Sequence, residues 1–462
     1  MRKDERTNEN IWTTNTRIHQ HGKHAMDNYI KKIILVMVLI VLGVSPVLAL
    51  SYEKEREIAG EFVTYLDSHN LIIYDQEITW TLQMLMDRLV DHITGPVYPF
   101  KIHVVKDRSV NAFAIPDGNI FINVGTLLFV KDLDELAAVI GHEIGHAQMR
   151  HIAEQFEARK KISTATIVGI IAGTLLSAAN PEVGAALVYS SMGGSENIRL
   201  AYSRSNEYAA DEFGRNLMKA SGLDPSGMTR FLIRMQTFTG GVNAPEYLLT
   251  HPYTENRISS ISVEPGDPKP DRRYWTLYAS VIGLMLSDEE ATSRTNTLPE
   301  PYRSLALGII KTRKGAHDEA LALLDNIDLP LAYAYKGINL YQLGKKDEAY
   351  PYLKNYGKSA QAKIALAEIM ETKGQIDPAI SILTPYQKQN TRVDYKLGIL
   401  YKKSNKPALS HVSFARYFFK TNKYKASIYH IDKALEFEKG LDKNYVDEIK
   451  EIKKFIQKQE QS

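Results

Sequence analysis

Apolar positions recur at helical spacing through residues 132–151. Leu136, Val139, Ile140 and Ile144 fall on one face, which predicts an amphipathic helix. Asp132 followed by Glu135 makes a capping-box pair that fixes its start. A second helix is expected from Ser203 or Ser205, as N-cap, to a close near Gly222. The β-branched runs Ile102–Val105 and Ile120–Val124 read as strands flanking a Pro116-Asp117-Gly118 turn.

From about residue 300 the pattern is helical and self-similar. Leu307-Gly308 precedes Gly315 and Ala320, and Lys336-Gly337 precedes Gly344 and Ala349. Leu366-Ala367 precedes Gly374 and Ala379, and Leu397-Gly398 precedes Tyr401 and Asn405. A last unit carries Ala415, Phe418, Asn422 and Tyr424, 17 residues out from Gly398 to Ala415 and so out of step. Small residues let paired helices approach, and Gly or Asn closes each first helix. The Gly308 to Gly337 period of 29 is short for a tetratricopeptide unit, so clipped linkers are expected. Such stacks present a concave surface for peptides or protein partners, or else a rigid cap. Residues 264–298, with Pro265, Pro268 and Pro270, read as a connecting segment with one helix around Tyr274–Leu286.

Two further apolar stretches matter. Lys31-Lys32, the run Ile33–Val44, Pro46 and Val47-Leu48-Ala49 have the order of a secretory signal peptide, so residues 1–49 are read as a leader, cleaved or kept as an anchor. Either Met1 or Met26 serves as its start. The uncharged run 162–179, with Gly169 and Gly173, would separate the zinc motifs described below if it spanned a bilayer. It is therefore expected either in the core or, through 162–188, in peripheral contact with membrane or partner. Met192-Gly193-Gly194-Ser195 is a candidate loop over the cleft.

Composition narrows the classes. Net charge is +3, and the leader alone supplies it with seven basic and four acidic residues. A near-neutral body is poorly suited to nucleic acid. The absence of cysteine removes disulfides, thiolate metal sites, cysteine nucleophiles and a lipoprotein anchor.

The chemistry-bearing segment is Gly141-His142-Glu143-Ile144-Gly145-His146. Histidines four apart on a helix project from one face, the spacing at which two imidazoles bind one tetrahedral Zn²⁺. Glu143, one step round, suits a general base for water that such an ion acidifies. On the second helix Glu207 and Asp211 share a face, extended by Gly214. Glu207 can complete a two-His, one-carboxylate site, and Asp211 can hold an imidazole N–H.

These motifs, with Arg150-His151, Ser203-Arg204 and Ala210-Asp211, resemble the peptidase family of HtpX and the CAAX prenyl proteases. The likeness is strongest to its exported branch with tetratricopeptide repeats. It covers roughly 52–265 and includes Val110–Ile122, where the family's Pro-Gly-Gly is Pro-Asp-Gly. It implies an α+β zincin-like metalloprotease domain, mostly helical with a small β-sheet, over 52–263. An all-α tetratricopeptide-like solenoid would follow over 299–462. It implies one Zn²⁺ held by His142, His146 and Glu207, with Glu143, Asp211 and His251 as catalytic groups. His251, in His251-Pro252, would stabilise the oxyanion or occupy the open position at rest. Arg257 would brace Glu207 or the substrate carbonyl, and Asn111 would stand near the substrate on an exposed edge strand able to pair with an extended peptide. Implied partners are protein substrates, misassembled or stalled envelope and outer-membrane proteins among them, and envelope assembly machinery at the repeats. The implied location is the periplasm. The competing expectation is an assembly chaperone that seldom cuts.

Overall fold

A computed structural model describes residues 50–157, 163–179, 202–238, 245, 247–252, 255–261, 264–387 and 390–461. The leader 1–49, the segment 180–188 and the Met192–Ser195 loop lie outside the described residues. Helix α1 (Tyr52–Ser68) leads through β1 (Ile72–Ile73) to α2 (Gln76–Val90), capped by the Asp75 carboxylate. Strands β2 (Lys101–Val105), β3 (Ala112–Ile115) and β4 (Asn119–Asn123) complete a sheet of order β1-β2-β4-β3. In the turn before β4, Asp117 and Gly118 both have positive φ, 63° and 68°, which these residue types tolerate.

The strands that flank this turn are β3 and β4, with Ile115 opposite Asn119, while β2 runs parallel to β4. This corrects the expectation that 102–105 was the flanking strand. Ala112–Ile115 is buried at every position, so it carries none of the polar alternation that marks a half-exposed strand. The same burial corrects the expected exposed edge. Strand β3 is outermost in the sheet, but Phe113 packs in one cluster with Ile167, Ile170 and Tyr202.

Next come α3 (Val124–Phe129), α4 (Leu133–Gln148), α5 (His151–Glu157), α6 (Thr164–Ala179), α7 (Arg204–Ala220), α8 (Ser226–Gln236), α9 (Tyr247–Thr250) and α10 (Glu255–Ile261). Helix α4 starts as its capping pair predicts, with Asp132 accepting from Glu135 N at 2.8 Å. Both acids of that pair also anchor α8. Arg230 reaches Asp132 at 2.6 Å, and Arg234 makes a two-pronged pair with Glu135. Helix α7 is capped by Ser203 and closes at Gly222, φ 67°.

Helices α4 and α7 cross with their backbones nearly touching. A Cβ added at Gly214 would stand 2.8 Å from Gly141 C and 2.9 Å from His142 N. At Gly145 it would stand 3.0 Å from Ala210 Cα. The described part of α6 is core, with Ile167, Ile170 and Ile171 packed among Phe62, Phe113 and Phe121. No helix among the described residues is long and apolar enough to cross a membrane.

The segment expected as a connection holds two helices, α11 (Arg272–Met285) and α12 (Asp288–Thr295). Tyr274, Leu277, Tyr278, Val281 and Ile282 form a full apolar stripe, which explains why α11 is buried. It joins one continuous core running from Leu82 and Leu136 to Leu305 and Ile338.

The remaining helices are α13 (Tyr302–Arg313), α14 (His317–Leu324), α15 (Pro330–Gln342), α16 (Lys346–Tyr356), α17 (Ala360–Thr372), α18 (Ile376–Leu383), α19 (Thr391–Lys403), α20 (Pro407–Lys420), α21 (Tyr424–Leu435) and α22 (Lys443–Gln461). They pack as successive hairpins. Gly315, Gly344, Gly374, Asn405 and Asn422 all have left-handed φ, between 54° and 79°. Gly308, Gly337 and Gly398 sit flush against Leu324, Leu353 and Phe414 of the partner helices. The offset of the last unit has a simple origin. Helix α20 packs on both α19 and α21, so one helix serves two hairpins and the spacing halves. The array also returns to the first helices, where Lys420 pairs with Asp67 at 3.3 Å and its ammonium lies 5.4 Å from the Tyr74 ring centre.

Candidate metal centre

Four side chains from three segments converge. His142 and His146 extend from α4, Glu207 from the first turn of α7, and His251 from the residue after α9. Their donor atoms lie within 4.8 Å of one another. His142 Nε2 is 2.9 Å from His146 Nε2 and 3.2 Å from His251 Nδ1. Glu207 Oε1 is 3.3 Å from His146 Nε2 and 3.1 Å from His251 Nδ1. Donors about 2.0–2.1 Å from a tetrahedral ion stand about 3.3 Å apart, so these spacings fit one ion.

Helix α9 places His251. Tyr247 N donates to the Val110 carbonyl at 3.1 Å, ahead of β3, and Tyr202 N donates to the Thr250 carbonyl at 3.0 Å, ahead of α7. The Tyr247 ring stacks on His251 with centres 4.3 Å apart. Tyr202 does the same to His146 at 3.7 Å.

The surroundings set the charge. Asp211 Oδ1 is 2.8 Å from His142 Nδ1, and both its oxygens meet Arg257, at 2.7 and 2.8 Å. Arg257 also contacts Glu207 Oε2 at 2.6 Å and is 1% exposed. Burial would raise the Asp211 carboxyl, but Arg257 outweighs it and holds the group below the usual range. Burial opposes Glu207 in the same way, yet His251, His146 and His142 keep it well below. Burial depresses His146 far below an ordinary imidazole. At His251 burial is overcome by Glu207 and Glu143, which raise it. The two carboxylates thus draw positive charge to the point where the four donors meet, a charge that a divalent cation would supply.

Glu143 is fully buried and raised by that burial. Among the described residues neither oxygen has a side-chain hydrogen bond; the Ala114 backbone N–H faces the carboxylate, and His251 Nε2 is 3.5 Å from Oε1. Buried polar atoms are rarely left so. This carboxylate, facing a metal-type donor set without joining it, is the second observation that fits a catalytic ion.

Asn111 lies apart. It enters β3 buried, with its carbonyl accepting from Asn123 N and Thr126 Oγ1, and no hydrogen bond among the described residues links it to the four donors. Sequence reasoning missed His151, Tyr202 and Tyr247. Arg150, at φ 57°, breaks the helix and turns His151 back until its Nδ1 is 2.9 Å from His146 Nδ1. The adjacent Arg150-His151 was visible in the sequence, but the reversal was not.

Two histidines and a buried carboxylate on one helix, with a second carboxylate presented from another helix of an α+β frame, are the residue types that metallopeptidases bring together. Residues 78–264 match the model of peptidase family M48. Three relatives carry the name beta-barrel assembly-enhancing protease, one of them as putative. The Yersinia pestis protein is 28% identical over 67% of this chain and 60% of its own length. The Vibrio cholerae protein, named as putative, is 33% identical over 46% and 44%, and the Escherichia coli K12 protein 29% over 76% of each. This chain therefore spans less than two thirds of the first two.

Proposed function

We propose that the chain is a zinc-dependent endopeptidase of the cell envelope. It hydrolyses peptide bonds in misfolded or stalled envelope proteins, outer-membrane proteins included. Residues 52–263 form the catalytic unit and 264–298 the connection, while 299–462 are a tetratricopeptide-like array that holds substrates or assembly partners. The exported location follows from the leader, and the substrate class from the names of the relatives. The observation that carries the enzyme reading is Glu143, buried beside the four donors without a side-chain hydrogen bond among the described residues.

His142, His146 and Glu207 would hold the ion, which when bound polarises a peptide carbonyl and acidifies water. Glu143 takes the proton of the attacking water and delivers it to the leaving amine, a shuttle suited to a carboxyl raised by burial. Asp211 fixes the His142 ring through Nδ1, and Arg257 neutralises Asp211 and Glu207 together. His251 puts Nδ1, not the outward Nε2, among the donors, the arrangement of a resting state that closes the fourth position. An assembly chaperone that seldom cuts gains support from one fact: no donor is more than 2% exposed.

The test is metal analysis of the purified chain together with casein cleavage, with and without chelator, for the native protein and Glu143→Gln. Expected are about one zinc per chain, cleavage by the native protein alone, and unchanged zinc in the variant. A native protein without zinc or cleavage overturns the reading.

A further inference from the structure

Tyr202 occupies an unusual position in this site. Its ring lies on His146, with centres 3.7 Å apart and planes 24° apart, and 5.1 Å from the His251 ring. Its backbone is held between the Thr250 carbonyl and the Ser203 cap of α7. The residue is 5% exposed, and its hydroxyl has no hydrogen-bond partner among the described residues. The charged groups acting on that hydroxyl are Glu143 and Glu207. A phenylalanine would give the same stack without burying an unsatisfied hydroxyl, so packing alone does not account for the oxygen.

We propose that Tyr202 is a further catalytic residue, whose hydroxyl donates a hydrogen bond to the peptide carbonyl oxygen as that oxygen gains negative charge. The idea rests on the peptidase reading above. No bond to Tyr202 forms and its proton stays in place. Water adds to the carbonyl carbon, Glu143 carries one of its protons to the amide nitrogen, the C–N bond breaks to give a carboxylic acid and an amine, and the acid's proton then passes to the amine to leave a carboxylate and an ammonium. A phenol titrates near 10, so the donor is intact at neutral pH. Its orphan state fits this role, since the partner it lacks would be the substrate oxygen. A donor whose partner arrives with the transition state lowers the barrier without tightening the ground state.

Tyr202→Phe isolates the hydroxyl because the stack on His146 persists. For the full-length zinc-loaded protein, the expectation is a fall in kcat of roughly 10–1,000-fold, with KM within about threefold. Zinc content stays as in the native chain, and Tm is equal or higher, because the substitution removes a buried unsatisfied hydroxyl. A phosphinic peptide, which mimics the tetrahedral state, loses affinity by a factor comparable to that on kcat/KM. A peptide substrate bound to Tyr202→Phe/Glu143→Gln retains the affinity it has for Glu143→Gln. Native kcat in the variant, a raised KM with unchanged kcat, or loss of zinc each overturns the assignment. Failure of the native protein to cleave would instead sink the peptidase reading.

Discussion

The crossing of α4 and α7 offers a graded test, because the helices that present the donors are separated by glycine alone. A Cβ at Gly214 would lie 2.8 Å from one backbone atom and 2.9 Å from another, and backbone cannot rotate away. Carbon atoms settle at about 3.5–4.0 Å, so Gly214→Ala must part the helices by roughly 0.7 Å. Metal sites hold ligand distances to about 0.2 Å, which makes this shift several times too large for His142, His146 and Glu207 to keep one ion. Overpacking costs about 1–3 kcal/mol, against which alanine returns about 1 kcal/mol of helix propensity. We expect a Tm lower by about 2–6 °C and zinc affinity weaker by 10–100-fold, the range seen when ligand support is lost. Gly145→Ala, at 3.0 Å, should cost less, and Gly141→Ala, at 3.4 Å, little. Gly60→Ala on α1 meets nothing within 4 Å and should stabilise by about 0.5–1 kcal/mol. Calorimetry and competition against a zinc-binding dye measure both quantities. Native zinc affinity and Tm in Gly214→Ala would refute the argument that backbone contact sets the site.

Arg257→Met leaves Asp211 and Glu207 buried without their shared cation. The metal-free protein should lose about 3–5 kcal/mol, with much of it restored by excess zinc, as a Tm series in zinc will show. His251→Ala opens the fourth position, so casein cleavage should rise if the imidazole closes the site at rest and fall if it serves as the oxyanion donor. Glu77, raised to about 7 by burial and then by Asp75, binds its proton more tightly folded than unfolded. Stability should therefore decline by about 1–3 kcal/mol as pH rises from the ordinary carboxyl range through 7. Glu77→Gln should flatten that slope in thermal scans across pH. A slope unchanged by the substitution would remove Glu77 as its source.

Much of the site was legible because its chemistry is written in local spacing. His142, Glu143 and His146 share one helix, and Glu207 and Asp211 share another, each start marked by a side-chain cap that the structure reproduces. His251 and Arg257 came only through family likeness, since nothing in a His-Pro loop announces that it will sit over a metal. The repeats were legible through their closing residues, every one of which is left-handed. Strand β3 was harder to read because burial erased its pattern. The Arg230 and Arg234 pairs with the capping acids are tertiary, and no periodicity encodes them.

These same differences suggest how a closed site can open. The segments that bring the donors together are not equally fixed. Helices α4 and α7 meet backbone to backbone over two contact points, and α4 is further tied by buried ion pairs to α8. His251 instead follows a four-residue helix tied, among the described residues, by two backbone hydrogen bonds, from Tyr247 N to Val110 and from Tyr202 N to Thr250, with Tyr247 buried edge-on to Phe231 and His251 against Glu207 and Tyr202. A hydrogen bond contributes about 0.5–1.5 kcal/mol net and a ring stack a similar amount. Moving α9 would therefore give up those two hydrogen bonds and the burial of the Tyr247 ring, whereas parting α4 from α7 would break the crossing that sets His142, His146 and Glu207 side by side. The Val110 bond also joins that movement to β3, whose edge a peptide would need. A displacement of α9 would thus carry the fourth donor away together with the contact at the Val110 end of β3.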